Sequence, residues 1–225
     1  MTHQIRGELP YYGSMTARTI SSTAESGGPH EDADAPGPSA ESCASRRTAM
    51  GFRAGLEKLF GDAGVEQVRS LLSAEADGAF FGAATVGQPW IPERHLVAFM
   101  RSVLDGPCGR NRLKFREWNQ VQIMNGFGRV KAAMLRIVTP QMLARRAAEL
   151  WVEEHTRGAM SSVMLDARSA EVTLVDHEYA ENPLARAVLT ESLRTLIAAS
   201  AHTRDVRGSF DADLETKLVM TFVWA

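Results

Sequence analysis

Trp151 and His155 stand four residues apart in the stretch ELWVEEHTRG, a spacing that can do chemistry. On a helix, positions i and i+4 share a face, so the imidazole would lie beside the indole at the rim of a buried surface. A histidine placed there can act as acid, base or ligand donor. The plainer reading is a ring near a helix C-terminus, where the helix dipole favours a cation. Glu153 and Glu154 fall on other faces and are expected in solvent. His177, in VDHEY, has Asp176 and Glu178 beside it. Neighbours along a strand point to opposite faces, so this run does not gather metal ligands by itself, and no metal or cofactor is assigned. His95 follows Arg94 on a helical stretch, where a surface position is the default expectation.

The densest basic run is GRNRLKFRE, with Arg110, Arg112, Lys114 and Arg116. It suits an anion such as a phosphate or a nucleotide, with Phe115 as a stacking ring. Arg112 and Arg116 spell R-x-x-x-R, half of a cyclic-dinucleotide signature, but the D-x-S-x-x-G half is missing. A solvated helix start is the simpler account of the run. The segment around Gly126 and Gly128 has lysine where the third glycine of a dinucleotide fingerprint belongs. The P-loop, H-E-x-x-H and G-x-S-x-G patterns are absent. Met and aromatic side chains, in contrast, are plentiful. Trp90, Phe127, Met134, Trp151, Met164, Phe222 and Trp224, with His155, could line an adaptable pocket for an apolar or planar molecule. A solid core built from the same residues is the alternative.

Several elements must position these groups. RTAMGFRAGLEKLF carries apolar residues at helical spacing and is broken at Gly61-Asp62, after which a second short helix runs to Leu72. Gly78 to Gly87 reads as loop or strand. Pro92 suits the first turn of a third helix whose stripe is Leu96, Phe99, Met100 and Val103, stopped by Asp105-Gly106-Pro107. A long helix over 112–138 carries a seam of Ile123, Phe127, Val130, Met134 and Ile137. Gly126 and Gly128 mark a kink, or a close approach of another backbone or of a ligand. Thr139-Pro140 opens a further helix, with Leu143, Ala147, Leu150 and Trp151 inward, ending at Gly158. The period then changes to two. Two strands meet near Ala167 to Ala170, a helix starts at Asn182-Pro183, and TKLVMTFVW closes as a half-buried strand. The expected fold is α+β: N-terminal helices packed on a C-terminal antiparallel sheet in β-β-α-β-β order.

The 225 residues carry a net charge of −2, with 44% hydrophobic and 23% charged residues, so no global field draws the chain to nucleic acid or anionic lipid. Nucleic acid is therefore not an expected partner. Only Cys43 and Cys108 occur, which fits a reducing cytoplasm better than a disulfide framework. No apolar run is long enough to span a bilayer. Ser21 to Ala49 holds no Leu, Ile, Val, Phe, Met, Trp or Tyr, and residues 1–45 are read as a disordered tail ahead of one α+β domain over 46–225. LPYY at Leu9–Tyr12 is read as unstructured, with a docking peptide as the alternative.

The order of elements resembles a known family. GFRAGLEKLF, Pro89-Trp90, the 140–158 and 182–200 helices and the closing TFVW resemble the myxobacterial paralogues called domain of unknown function 2378. More distantly they resemble the 4-vinyl-reductase and haem-NO-binding-like sensor superfamily. The likeness covers about residues 47–225. The distant superfamily implies a small-molecule pocket between helices and sheet. Its haem-binding members use a proximal histidine and a Tyr-x-Ser-x-Arg motif, but Ala-Glu-Asn-Pro follows Tyr179 here. Its vinyl-reductase-like members often carry cysteines near the last strands, and none follows Cys108. The expected function is a non-enzymatic small-molecule-binding sensor module. A homo-oligomeric scaffold using the 123–137 seam, or an enzyme using His155 or His177 as acid–base, are the alternatives.

Overall fold

The computed structural model describes residues 41–82, 88–126, 135, 137–201, 203–211 and 216–225. Helix α1 spans Arg46–Leu71 and is capped by Ser45, whose hydroxyl accepts the Thr48 N–H at 3.2 Å. Gly61 adopts φ +60°, which breaks the helical backbone where the sequence places the break. Helix α2, Ala74–Phe81, is capped by Ser73. It occupies the start of the stretch read as loop or strand, because the Ser73 cap and a first turn carrying Glu75 and Asp77 outweigh Gly78.

Strand β1, Cys43–Ser45, pairs antiparallel with β2, Trp90–Pro92. Composition puts 43–45 in the tail. Backbone pairing with β2 and with Thr156 orders these residues despite their small side chains. Helix α3, Glu93–Asp105, buries the Leu96, Phe99, Met100 and Val103 stripe as its spacing requires. His95 is a correction. It is only 5% exposed, because α2 packs on that side and brings Glu75 to 3.4 Å from its Nε2. Burial and the Arg94 charge lower its pKa.

Helix α4, Arg112–Gly126, buries Phe115, Trp118, Asn119 and Gln122. It lies against α1 closely enough that a Cβ on Gly55 would meet the Gln122 Cβ at 2.5 Å. Gly126 faces Gly51 in the same contact, so of its two expected roles it serves the close approach. Phe127, Val130 and Met134 of the expected seam lie outside the described residues. Ile137 departs from the seam, sitting in a turn at 76% exposure. An aromatic cluster joins α1 to α4: Phe52 meets Trp118 edge-on at 5.4 Å, and Phe80 lies 4.2 Å from Phe99.

Thr139 caps α5, Pro140–Arg145, with proline in its first turn, and α6, Ala147–Glu154, follows after a break at Arg146. Strands β3, Ala159–Asp166, and β4, Ser169–Val175, form a hairpin. Asn182 caps α7, Pro183–Ala199, accepting from the Leu184 and Ala185 amides. Strands β5, Arg207–Phe210, and β6, Lys217–Val223, complete an antiparallel sheet of order β3-β4-β6-β5. Its inner face carries Met160, Ala170, Val172, Leu174, Leu218, Met220 and Phe222, while Val163, Leu165 and Val223 look outward. The two-residue period thus sorts the sheet into a core face and an outer face. The α+β order and the C-terminal antiparallel sheet agree with the sequence reading. Among the described residues, no helix is long and apolar enough to cross a membrane.

Candidate functional site

The ELWVEEHTRG segment ends α6, and His155 is its C-cap residue in extended backbone (φ −137°, ψ 141°). That bend stacks the imidazole flat on Trp151, with ring centroids 3.7 Å apart and planes 10° from parallel. The Trp151 indole is fixed from its other end, where Nε1 donates to the Arg157 carbonyl at 2.9 Å. His155 Nδ1 donates to Glu93 Oε1 at 2.5 Å. Glu93 opens α3 and is wholly buried. Its position in the first helical turn reads as an ordinary solvated acid complementing the helix dipole. Nothing in the local sequence marks it as interior.

His177 enters from the turn after β4. Asp176 at φ +55° redirects the chain there, so the alternation expected for a strand no longer applies. The His177 side chain is wholly buried, with Nε2 3.6 Å from Glu93 Oε1 and 3.1 Å from Ser42 Oγ. The Tyr179 N–H donates to His177 Nδ1 at 3.2 Å. Because Nδ1 accepts, the ring proton resides on Nε2 and points toward Glu93 and Ser42. Tyr179 closes the group, edge-on to His177 at 4.7 Å. Gly158, at φ +81°, keeps this corner open, since a Cβ there would meet the His177 Cβ at 2.9 Å.

Two imidazoles therefore aim N–H groups at one buried carboxylate oxygen. Burial pushes the Glu93 carboxyl up, but the hydrogen bond from His155, the His177 N–H facing it at 3.6 Å and the Tyr179 phenol outweigh burial and hold the group down at about 2. Burial, and after it the same charge, drives the Tyr179 phenol well above its usual range. Glu178 beside them is pushed up by burial and by Glu93. Glu154, expected in solvent, is half-buried: its carboxylate takes Ser45 and Arg47 and accepts from Thr48 Oγ1 at 3.0 Å. It ties the end of α6 to the start of α1.

This cluster borders a partly open cavity of about 190 Å³ lined by α1, α4, α5, α6, α7 and the inner face of the sheet. Its walls are mostly apolar, with Phe52, Leu143, Ala147, Leu193 and Phe222 among them, and Trp151, His155 and Tyr179 line it near the cluster. Of the pocket residues expected from sequence, Trp151, His155 and Phe222 meet here. Trp90 is 38% exposed on β2, Met164 is half-buried on β3, and Trp224 is buried just after β6. None of these three lines the cavity. Phe127 and Met134 lie outside the described residues. Arg112 and Arg116 face a separate groove of about 750 Å³ together with Arg194 and Arg207. Arg110 pairs instead with Asp105 at 2.8 Å.

No protein-family model and no curated protein matches the sequence. Solved structures do. The Fe(II) unliganded H-NOX protein from K. algicida superposes over 80% of this chain and 96% of its own, at TM-score 0.55 and 9% identity. A point mutant of that protein gives the same values. The chain has the H-NOX fold. A third structure, from work on haem redox potential and protein-induced porphyrin distortion, covers 80% of this chain and 99% of its own at TM-score 0.50 and 10% identity. The haem-NO-binding-like part of the sequence resemblance agrees with this fold, and no family model supports the domain of unknown function 2378.

The residues present do not fit the haem of the H-NOX fold. The partly open cavity of about 190 Å³ is near the roughly 150 Å³ that accommodates benzene. Arg47, on the cavity wall, is engaged by Glu154. Tyr179 is followed by alanine and glutamate, with no serine and arginine at the alternate positions of a propionate clamp. Chemically, the arrangement offers a tautomer-fixed imidazole: Glu93 holds the His155 proton on Nδ1 and leaves Nε2 as the basic nitrogen.

Proposed function

We propose that this chain is a small-molecule-binding module of the sensor kind, taking an apolar or planar ligand smaller than a tetrapyrrole. The ligand occupies the cavity between the helices and the sheet. The supporting observation is that apolar cavity, bordered by one stacked Trp151–His155 pair. Mostly apolar walls with few polar groups are the usual make-up of a ligand site, since burial supplies affinity and the polar atoms supply orientation. Trp151, His155 and Phe222 are the proposed contacts. A binding role without turnover suits His177, which is too tightly packed to reach a substrate, and leaves the His155 Nε2 as a hydrogen-bonding atom. Kinship with the myxobacterial paralogues and the vinyl-reductase-like sensors is proposed from the sequence pattern alone.

The test is thermal and chemical denaturation with indole, small arenes, medium-chain alcohols and haem. A true ligand at a hundredfold excess over its dissociation constant adds about 2.7 kcal/mol of stability. Ala147→Met, which fills the cavity from α6, should abolish the effect while leaving the fold intact. A probe effect that survives Ala147→Met, or no effect from any probe, rejects the reading.

A second reading concerns the groove of about 750 Å³. Arg112, Arg116, Arg194 and Arg207 surround it, and Glu191 pairs with Arg116 and Arg194. We infer an anion-binding role for Arg112 and Arg116, tested by pyrophosphate titration. Binding should weaken with salt and with Arg112→Ala. Binding that ignores both rejects it.

A further inference from the structure

We propose that Glu93, His155 and His177 bind one divalent transition-metal ion through two imidazole nitrogens and a carboxylate oxygen. The three side chains come from the first turn of α3, the C-terminus of α6 and the turn after β4. Their ligand atoms all lie within 4.8 Å of one another. Ligands about 2.0–2.2 Å from a tetrahedral ion stand roughly 3.4 Å apart. The 3.6 Å between Glu93 Oε1 and His177 Nε2 is already there, while the 2.5 Å to His155 Nδ1 must open by about 1 Å.

A second observation points to a cation. Glu93 Oε2 is fully buried with no partner at hydrogen-bonding geometry among the described residues, and the Tyr179 phenol is the donor that faces this carboxylate. A buried carboxylate with an unmet oxygen is costly, and a metal ion answers that cost better than two N–H dipoles. The donor set selects the ion. Imidazole with one carboxylate suits Zn²⁺, Fe²⁺, Co²⁺ or Ni²⁺, whereas Ca²⁺ and Mg²⁺ want oxygen donors. The Ser42 hydroxyl, 3.1 Å from His177 Nε2, stands next to a further coordination position.

The proton balance is explicit. In the metal-free state the protons sit on His155 Nδ1 and His177 Nε2, the two atoms that would ligate. On binding, each ring keeps its proton but carries it on the other nitrogen, so none is released. For His155 that nitrogen is Nε2, which has no hydrogen bond among the described residues. For His177 it is Nδ1, which must give up the Tyr179 N–H. Ion binding is thereby linked to the turn at Glu178–Ala180.

The site shares His155 with the cavity wall, but metal binding is read by different signals from those of the cavity ligand. Full-length protein stripped with chelator is titrated with Co²⁺ in visible absorption, and with Zn²⁺ in calorimetry and amide NMR. The expected result is one Co²⁺ with the d–d bands of a four- or five-coordinate site. His155→Asn and His177→Asn should each weaken binding by about 100-fold or more. One equivalent of Zn²⁺ should shift the Tyr179 amide resonance. Absence of the bands, or bands that persist in both variants, overturns the proposal. If either variant fails to fold, the Tyr179 amide in the unmutated protein decides: no shift with Zn²⁺ overturns the site. Loss of arene binding with Co²⁺ binding intact would reject only the cavity reading.

Discussion

Glu93→Gln isolates the charge at the centre of the cluster. Glutamine keeps the shape and still offers an oxygen to the His155 N–H, so the change removes charge with little change in volume. The Glu93 carboxyl is held at about 2 against an ordinary 4.5. At 1.36 kcal/mol per unit, the ionised form is favoured by about 3 kcal/mol in the folded state. The folded value is depressed, so this stability is fully present above pH 4.5 and is lost as pH falls through about 2. Glu93→Gln should therefore unfold in urea with a stability about 3 kcal/mol below the unmutated chain at pH 7. The gap should narrow steadily below pH 4.5, because a protonated glutamate resembles glutamine. Urea titrations at half-unit steps from pH 7 to pH 3, without metal, measure it. A gap that stays constant across that range, or one below about 1 kcal/mol at pH 7, would refute the view that His155 and His177 hold this carboxylate ionised.

Gly158→Ala meets both a positive φ and the His177 ring, so it should cost more than 1 kcal/mol in urea and disturb the His177 resonances in NMR. Gly55→Ala places a methyl into Gln122 and should cost about 1–3 kcal/mol by the same measurement, since neither helix can retreat without opening the Phe52–Trp118 contact. Thr139→Ala removes the cap of α5 and should cost about 1 kcal/mol; an unchanged midpoint would show that Pro140 alone fixes that helix start.

The elements were legible wherever local chemistry decides them. Thr139-Pro140 and Asn182-Pro183 are cap-and-proline pairs, and both start helices. The alternation in LVMTFVW survives as Leu218, Met220 and Phe222 on the inner face. Gly61 breaks its helix because its own φ is positive. The site was legible by halves. Helical spacing placed Trp151 and His155 side by side, while their flat stacking comes from the extended backbone of His155 at the helix end. Glu93 could not, because its burial comes from segments distant in sequence. Ser42 was hidden for a different reason: it sits in a run without large apolar residues, and backbone pairing, which leaves no compositional trace, orders it. For His177 the sequence offered only its neighbours in the run VDHEY, and the turn at Asp176 that carries it to Glu93 is set by a backbone conformation that the pattern does not show.

Bringing Ser42 to His177 closes a loop of 135 residues, and Glu93 to His155 one of 62. Closures of that length are entropically slow and are rewarded only after the sheet and helices have formed. The cluster is thus a late-forming keystone. A chain leaving the ribosome cannot seat Ser42 until most of its length has emerged. Substitutions at these four positions should hasten unfolding far more than they slow folding.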